Sequence, residues 1–308
     1  MSGFEIEYYL FHAESMKALF CGRDIMCNTL HANHGDLLFD FDQQLIKSGV
    51  DIDRFHSEYA PGMFEAIMKP TYGIDCPDST ANLKQGLTEM ANLKGLKVSF
   101  MSRYFKSENG VGAHYNFSIL SKDTGANAFY DASAPDKLSV VAKHWIAGII
   151  KHSRALTALF CPTPNCYRRL HQPWAPTAIY WGIEDREASL RVKNHGPTAA
   201  YMENRIPSGK SNPYLVVAAT VAAGLDGILN KLECPPQGNV KEAMSNGDLL
   251  PKSLPEAMKA LEDDESLVNA LGKEFVSWFL ETRKVELKKF DGFTDDEQRR
   301  DLETKVYF

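Results

Sequence analysis

Apolar positions recur at two different periods along this chain. In Phe4-Glu5-Ile6-Glu7-Tyr8-Tyr9-Leu10-Phe11 they alternate with acidic residues before running on as an aromatic stretch. That is the pattern of a strand, whose successive side chains leave opposite faces. Glu5 and Glu7 therefore share one face, with Ile6 and Tyr8 on the other. Helical spacing takes over in residues 36–46 and stops near Gly49. A short alternating stretch at 55–59, the turn Ala60-Pro61-Gly62 and a strand at 63–68 make a hairpin signature. Asp78-Ser79-Thr80 is placed to cap an amphipathic helix carrying Leu83, Leu87, Met90, Ala91 and Leu93. Strands are expected at 98–105 and 113–120, joined by a loop with Ser107-Glu108-Asn109-Gly110.

Further on, the spacing predicts a long helix over 137–160, then a loop containing Pro and Cys, then a strand pair at 178–183 and 188–192. Pro213 suits the first turn of a strongly apolar helix that runs to Leu229. Residues 254–290 read as helical, with Pro255 at a helix start and Trp278, Phe279 and Leu280 in the core stripe. No repeat, low-complexity tract or linker divides the chain. Strands separated by helices, with several hairpins, predict a single α+β (mixed α/β) domain over residues 1–308.

Composition narrows the partners. The 308 residues are 44% hydrophobic and 24% charged, enough apolar material for a large core. A net charge of -6 and a pI near 5.9 argue against binding nucleic acid or an anionic membrane. The longest apolar run, residues 215–225, is too short to cross a bilayer, and no basic segment leads into an apolar one as in a signal peptide. Six cysteines lie scattered, none in a CxxC pair, which points to reduced thiols in a cytoplasmic protein.

The candidate chemistry begins with carboxylates. Glu5 and Glu7 side by side on a half-buried face repel and desolvate poorly unless a cation lies between them. Glu58 and Glu65 flank the Ala-Pro-Gly turn, so a tight hairpin brings both to one surface, as a hard divalent cation such as Mg²⁺ or Mn²⁺ prefers. The glycine-rich run Asn109-Gly110-Val111-Gly112-Ala113-His114 lets backbone amides approach a small polar ligand. His114 and Asn116 then face the same side. Arg169, Arg186, Arg191 and Arg205 suit bidentate contact with carboxylate and phosphate oxygens. Together these residues suggest an anionic substrate meeting a metal nucleotide.

The order of these motifs resembles the catalytic domain of the glutamine synthetase family. It runs from the Glu-x-Glu strand through Glu58-Tyr59-Ala60-Pro61-Gly62-Met63-Phe64-Glu65 and Asn109-Gly110-Val111-Gly112-Ala113-His114 to Asn165-Cys166-Tyr167-Arg168-Arg169-Leu170. It continues with Asp185-Arg186-Glu187-Ala188-Ser189-Leu190-Arg191, Glu203-Asn204-Arg205-Ile206-Pro207 and the helix opened by Asn212-Pro213-Tyr214-Leu215. That helix is particularly similar to lengsin-like members. The resemblance implies a curved antiparallel sheet backed by helices around a metal-binding funnel, two divalent-metal sites and ATP as co-substrate. Glu7, Glu58 and Glu65 would hold one ion, and Glu5, His114 and Glu203 the other. Asn109, Gly110, Arg169 and Arg205 would bind glutamate. Arg186 and Arg191, with Asn116 beside them, would meet the transferring phosphoryl group, so that Arg186, Glu203 and Arg205 are the expected catalytic residues. The activity implied is phosphorylation of the glutamate γ-carboxylate and its coupling to ammonia or an amine, in a homo-oligomer of one ring or stacked rings.

Four departures from the family pattern bear on that expectation. Trp174 stands where ammonia-using members keep a Glu before Ala-Pro, as in the branch that joins glutamate to larger amines. Met63 replaces a Gln, and Asn116 replaces a second His. Thr198-Ala199-Ala200-Tyr201 stands where basic residues usually precede the Glu-x-Arg. A β-grasp domain expected before the catalytic domain is absent from these residues. The competing expectation is therefore a lengsin-like structural or scaffold protein that keeps the fold and oligomer without turnover.

Overall fold

The computed structural model describes residues 1–23 and 25–308, with the side chains of residues 28 and 31 left out of the description. Strand β1 (Ser2–His12) is followed by α1 (Asn28–Asn33), α2 (Gly35–Lys47) and the hairpin β2 (Ile52–Ser57) and β3 (Met63–Met68). Helix α3 (Asp75–Leu93) leads to β4 (Leu96–Ser99) and β5 (Ala113–Phe117). Then come α4 (Val140–Phe160), a 3₁₀ turn (Pro164–Arg168) and the strands β6 (Trp181–Ile183), β7 (Leu190–Asn194) and β8 (Ala200–Asn204). The C-terminal part holds α5 (Pro213–Leu229), α6 (Val240–Asn246), α7 (Leu254–Glu262), α8 (Glu265–Leu271), α9 (Lys273–Leu287) and α10 (Asp296–Tyr307).

The strands form one eight-stranded open sheet in the order β2-β3-β1-β5-β8-β7-β6, with β4 also on β1. All pairings are antiparallel except β6 with β7, so the α+β expectation holds with one parallel pair at the edge. Alternation sorts the two faces of β1. Phe4, Ile6, Tyr8 and Leu10 are buried in the main core with Leu83 and Leu87 of α3 and residues of α4 and α5, while Glu5 and Glu7 point the other way. Helices thus cover one face, and the other carries the polar row.

The ladder on β1 has a break that matters for the site. Residues 2–6 pair with β5 and residues 9–12 pair with β4, both along the same edge. The chain between them must leave the sheet where the two strands meet. That is why the strand expected at 98–105 stops at Ser99 and why residues 100–112 loop out beside Glu7.

Several local expectations are corrected. Helix α3 starts at Asp75, so Asp78-Ser79-Thr80 lies inside it; Thr80 bonds back to the Cys76 carbonyl at 2.8 Å instead of capping. Lys137 sits in a left-handed turn, and α4 begins three residues later behind the cap Ser139. The strand expected at 113–120 ends at Phe117, and of the stretch at 178–183 Trp181–Ile183 forms a strand while Ala178 makes a single bridge to Leu249. The region 254–290 breaks into α7, α8 and α9 with a closing 3₁₀ turn. Trp278 is 67% exposed and outside the core stripe, whereas Val276 and Leu280 of the same helix are buried. Asn212 caps α5 with Pro213 in its first turn, as expected.

Helices α4 and α5 cross so closely that only glycine fits at the contact. A Cβ on Gly224 would fall 2.1 Å from the Trp145 ring, and one on Gly227 2.0 Å from the His144 carbonyl oxygen. Beside this crossing His152 is buried, with Nδ1 2.5 Å from Asp264, the cap of α8, and Nε2 3.0 Å from Asp226 of α5. Burial alone would lower its pKa and Lys151 opposes the charge, but the two aspartates win and raise it. The six cysteines are all free, and among the described residues no helix is long and apolar enough to cross a membrane.

Gly224→Ala is expected to destabilise the fold by about 1–3 kcal/mol through overpacking, read as a lowered urea midpoint; an unchanged midpoint would contradict the close crossing. The charged His152 stabilises fully below its unfolded pKa of about 6.5, and that contribution is lost as pH rises through the raised folded value. Thermal unfolding should therefore show the gap between wild type and His152→Gln largest in mild acid and shrinking in mild alkali. A gap independent of pH would rule this out.

Candidate active site

The register carries chemistry-bearing residues across the uncovered face of the sheet. Glu65 of β3 lies opposite Glu7 of β1, and His56 of β2 opposite Glu65. On the other side His114 of β5 lies opposite Glu5, Asn116 opposite Glu203 of β8, and Glu203 opposite Arg191 of β7. Opposed residues point the same way, so this row faces one cavity of about 840 Å³. All fourteen residues expected at the site line that cavity, Trp174, Arg186, Asn109 and Gly110 among them.

Carboxylates crowd the floor. Glu7, Glu65 and Glu203 are buried, and Glu5 nearly so. Burial, with the neighbouring charges of Glu7 and Glu65, pushes Glu58 up to about 9. Glu65 is likewise raised well above the carboxylate range by burial and by Glu7 and Glu5. Glu5 goes the other way. Burial would raise it, but the hydrogen bond and charge of His114, the charge of Lys193 and a hydrogen bond from Asn116 hold it at about 2.

Two groups bring their ligand atoms within 4.8 Å of one another: Glu5, Glu65 and His114, and His56, Glu58 and Glu65. His56 Nε2 lies 3.1 Å from Glu65 and Nδ1 3.4 Å from Glu58. His114 Nδ1 stands 3.5 Å from both Glu5 and Glu203. Carboxylate oxygens with an imidazole nitrogen, buried and short of cationic partners, fit Mg²⁺ or Mn²⁺. The groupings differ from the expected ligand sets in three residues. Glu7 accepts the Gly112 amide at 2.5 Å. Glu203 is bonded by Arg205 and Arg191. His56 was not singled out, although its i, i+2 spacing from Glu58 is the same signal that marked Glu5 and Glu7.

The loop over Glu7 is close-packed: a Cβ on Gly110 would fall 2.4 Å from the Ser102 carbonyl oxygen. A Cβ on Gly112 would lie 2.8 Å from Arg169 Nη2 and 2.9 Å from His114 Nε2. Tyr9 donates to the Asn109 carbonyl at 2.6 Å. Arg169 is buried and gives its donors to the carbonyls of Ile206 (3.2 Å) and Arg205 (3.1 Å) and to His114 Nε2 (3.3 Å). Arg205 reaches the Trp174 carbonyl at 3.3 Å. Arg191 bridges Glu203 and Glu184, while Arg186 is exposed and without an ion-pair partner among the described residues. Trp174 is 64% exposed, in a left-handed conformation, its ring parallel to Tyr59 within 4° at 6.3 Å.

The glutamine synthetase catalytic-domain model matches residues 1–304. This chain belongs to the glutamine synthetase family. It is 33% identical to rat (Rattus norvegicus) lengsin over 90% of its own length and 50% of lengsin's. It is 35% identical to type-1 glutamine synthetase 2 of Dictyostelium discoideum, over 79% of this chain and 48% of that one. To Thermotoga maritima glutamine synthetase it is 34% identical, over 81% and 58%. The chain thus spans about half the length of these relatives. Among solved structures, a GmaS–ADP complex superposes with a TM-score of 0.86 at 26% identity, covering 97% of this chain and 71% of that one.

Glu58→Gln removes a carboxylate that is costly to ionise. It is expected to leave the metal-free melting temperature unchanged or to add roughly 0.5–2 kcal/mol, while cutting the rise in melting temperature on adding Mn²⁺. His56→Ala should weaken Mn²⁺ binding roughly 10–100-fold by calorimetry. Mn²⁺ responses identical to wild type in both variants would refute metal binding by this cluster.

Proposed function

We propose that this chain carries the active site of an ATP-dependent carbon–nitrogen ligase that couples the γ-carboxylate of glutamate to ammonia or an amine. The convergence of carboxylates, imidazoles and four arginines on one face of one cavity supports this most strongly. Mg²⁺ or Mn²⁺ would be held by Glu7, Glu58 and Glu65, with His56, and by Glu5, His114 and Glu203, and would supply Lewis-acid neutralisation of phosphate and carboxylate charge.

In this reading a γ-carboxylate oxygen attacks the terminal phosphorus of ATP, the bond to the ADP oxygen breaks, and ADP leaves. The amine nitrogen then attacks the acyl carbon, the carbon–oxygen bond to phosphate breaks, and the nitrogen gives up a proton. Arg205, with Asn109 and Gly110, binds the amino acid. Arg169 shares in this and fixes the strand end that carries Arg205. Arg186 is free to swing onto the phosphoryl group, and Arg191 reaches it by giving up Glu184. Asn116, already bonded to Glu5 at 3.1 Å, orients that carboxylate beside the nucleotide phosphates. Trp174 and Tyr59 give the acceptor an apolar wall, which favours an amine larger than ammonia. We place the protein in the cytoplasm as a homo-oligomeric ring.

A second reading, a lengsin-like protein without turnover, is favoured by Trp174 in place of a carboxylate and by Tyr201 in place of a cation. ADP formation that requires Mg²⁺, glutamate and an amine together decides between them. The ligase reading expects such turnover, with Glu203→Gln lowering it at least ~100-fold. Absence of glutamate-dependent ADP formation across a panel of amines would leave the second reading.

A further inference from the structure

The cations of the cavity are unequally occupied. Arg169 is spent on backbone carbonyls and His114. Arg205 and Arg191 are bonded to Glu203, and Arg191 also to Glu184, which takes His195 at 2.7 Å on its other oxygen. Lys193 differs. It sits on β7 two residues after Arg191, so both side chains leave the same face, and it lines the same cavity. Its ammonium has no carboxylate within 4.0 Å among the described residues. Its partner is the neutral hydroxyl of Tyr201, at 2.7 Å, with the ring centroid 4.9 Å away. An ammonium at a cavity wall with no carboxylate in direct contact is placed to take an anion from outside.

Position decides which anion. The ladder sets Lys193 opposite Tyr201, as it sets Arg191 opposite Glu203. Lys193 acts electrostatically on Glu5, whose neighbours are His114 and Asn116, and on Glu184, the partner of Arg191. The ammonium therefore stands at the Glu5–His114–Glu203 end of the cavity, away from Glu58 and the loop at Asn109. Tyr201 occupies the end of the stretch, Thr198-Ala199-Ala200-Tyr201, that contains no cation. The cation at this rung of the sheet is on β7, across the ladder from Tyr201 of β8.

We propose that Lys193 is a polyphosphate-binding residue of this site, holding the β- and γ-phosphate oxygens of ATP together with Arg191 and exchanging the Tyr201 hydroxyl for them on binding. This rests on the ligase reading, since it assumes that a nucleotide enters the Glu5 end of the cavity. A charge-assisted hydrogen bond of this kind corresponds to roughly 10–100-fold in affinity.

Calorimetry of ATP, ADP, AMP and glutamate in Mn²⁺ buffer, with wild type, Lys193→Met and Lys193→Arg, tests it. The inference expects Lys193→Met to lose roughly 10–100-fold in ATP affinity, with AMP and glutamate affinities and the melting temperature unchanged, and Lys193→Arg to keep most of the ATP affinity. Unchanged ATP binding in Lys193→Met would overturn it. So would equal losses for ATP, AMP and glutamate, the mark of a structural role, or a loss confined to glutamate, which would make Lys193 a carboxylate contact. Wild type that binds no ATP would overturn the ligase reading itself, and this inference with it.

Discussion

Four carboxylates on or beside the central strand pair, Glu5, Glu7, Glu58 and Glu65, are drawn together in a place that water reaches poorly. Like charges buried side by side are unfavourable by several kcal/mol unless something positive joins them. The fold meets this on one flank with the guanidinium groups of Arg205 and Arg191 on Glu203 and with the His114 ring between Glu5 and Glu203. On the other flank, among the described residues, only the His56 ring stands against Glu58 and Glu65. The raised pKa values of those two groups are the physical sign of a site short of positive charge. A divalent ion would meet that shortage, and the rest of the cavity is arranged around it.

The remaining structure serves to hold this unfavourable face still. On the opposite face of β1, Phe4, Ile6, Tyr8 and Leu10 pack in one core with residues of α3, α4 and α5, so the strand cannot slip by one residue without turning its carboxylates into the core. Helices α4 and α5 lock through glycine contacts behind it. At the break between β4 and β5 the chain leaves the sheet, and the resulting loop brings Asn109 and Gly112 over Glu7. Far along the chain, Asn165 and Arg168 are tied to Glu303 of α10 at 3.0 and 2.7 Å, which steadies the 3₁₀ turn that presents Arg169.

Much of this could be read from the residues because the signals are short-range. Glu5 and Glu7 declare a shared face through a period of two, and Gly62 declares the hairpin that returns Glu65. His56-Ser57-Glu58 carries the same period, but a lone histidine in a strand is an ambiguous signal. Strand β8 was hidden because Ala200-Tyr201-Met202-Glu203-Asn204 alternates polar and apolar residues weakly and was read as part of a motif. Helix α10 was missed because it buries only Glu303 and Tyr307 and so shows no apolar stripe. Trp278, expected in the core stripe, lies outside it, whereas Val276 and Leu280 of the same helix are buried and Phe279 and Leu287 pack against them. Cross-strand register is the part no single sequence shows. The pairing of Lys193 with Tyr201, and of Arg191 with Glu203, emerges only when β7 and β8 are seen side by side.

The family likeness and the geometry bear on different questions. Family membership explains why these motifs occur in this order; the crowding of buried acid explains why they need cations. The most direct test of the central claim is anomalous diffraction from crystals grown with Mn²⁺ and a non-hydrolysable ATP analogue. The account predicts manganese peaks on both sides of β1, one within reach of Glu58 and Glu65 and one between Glu5, His114 and Glu203, with the analogue's phosphates against the second. Manganese absent from the cavity, or bound only at exposed acidic groups elsewhere, would contradict it.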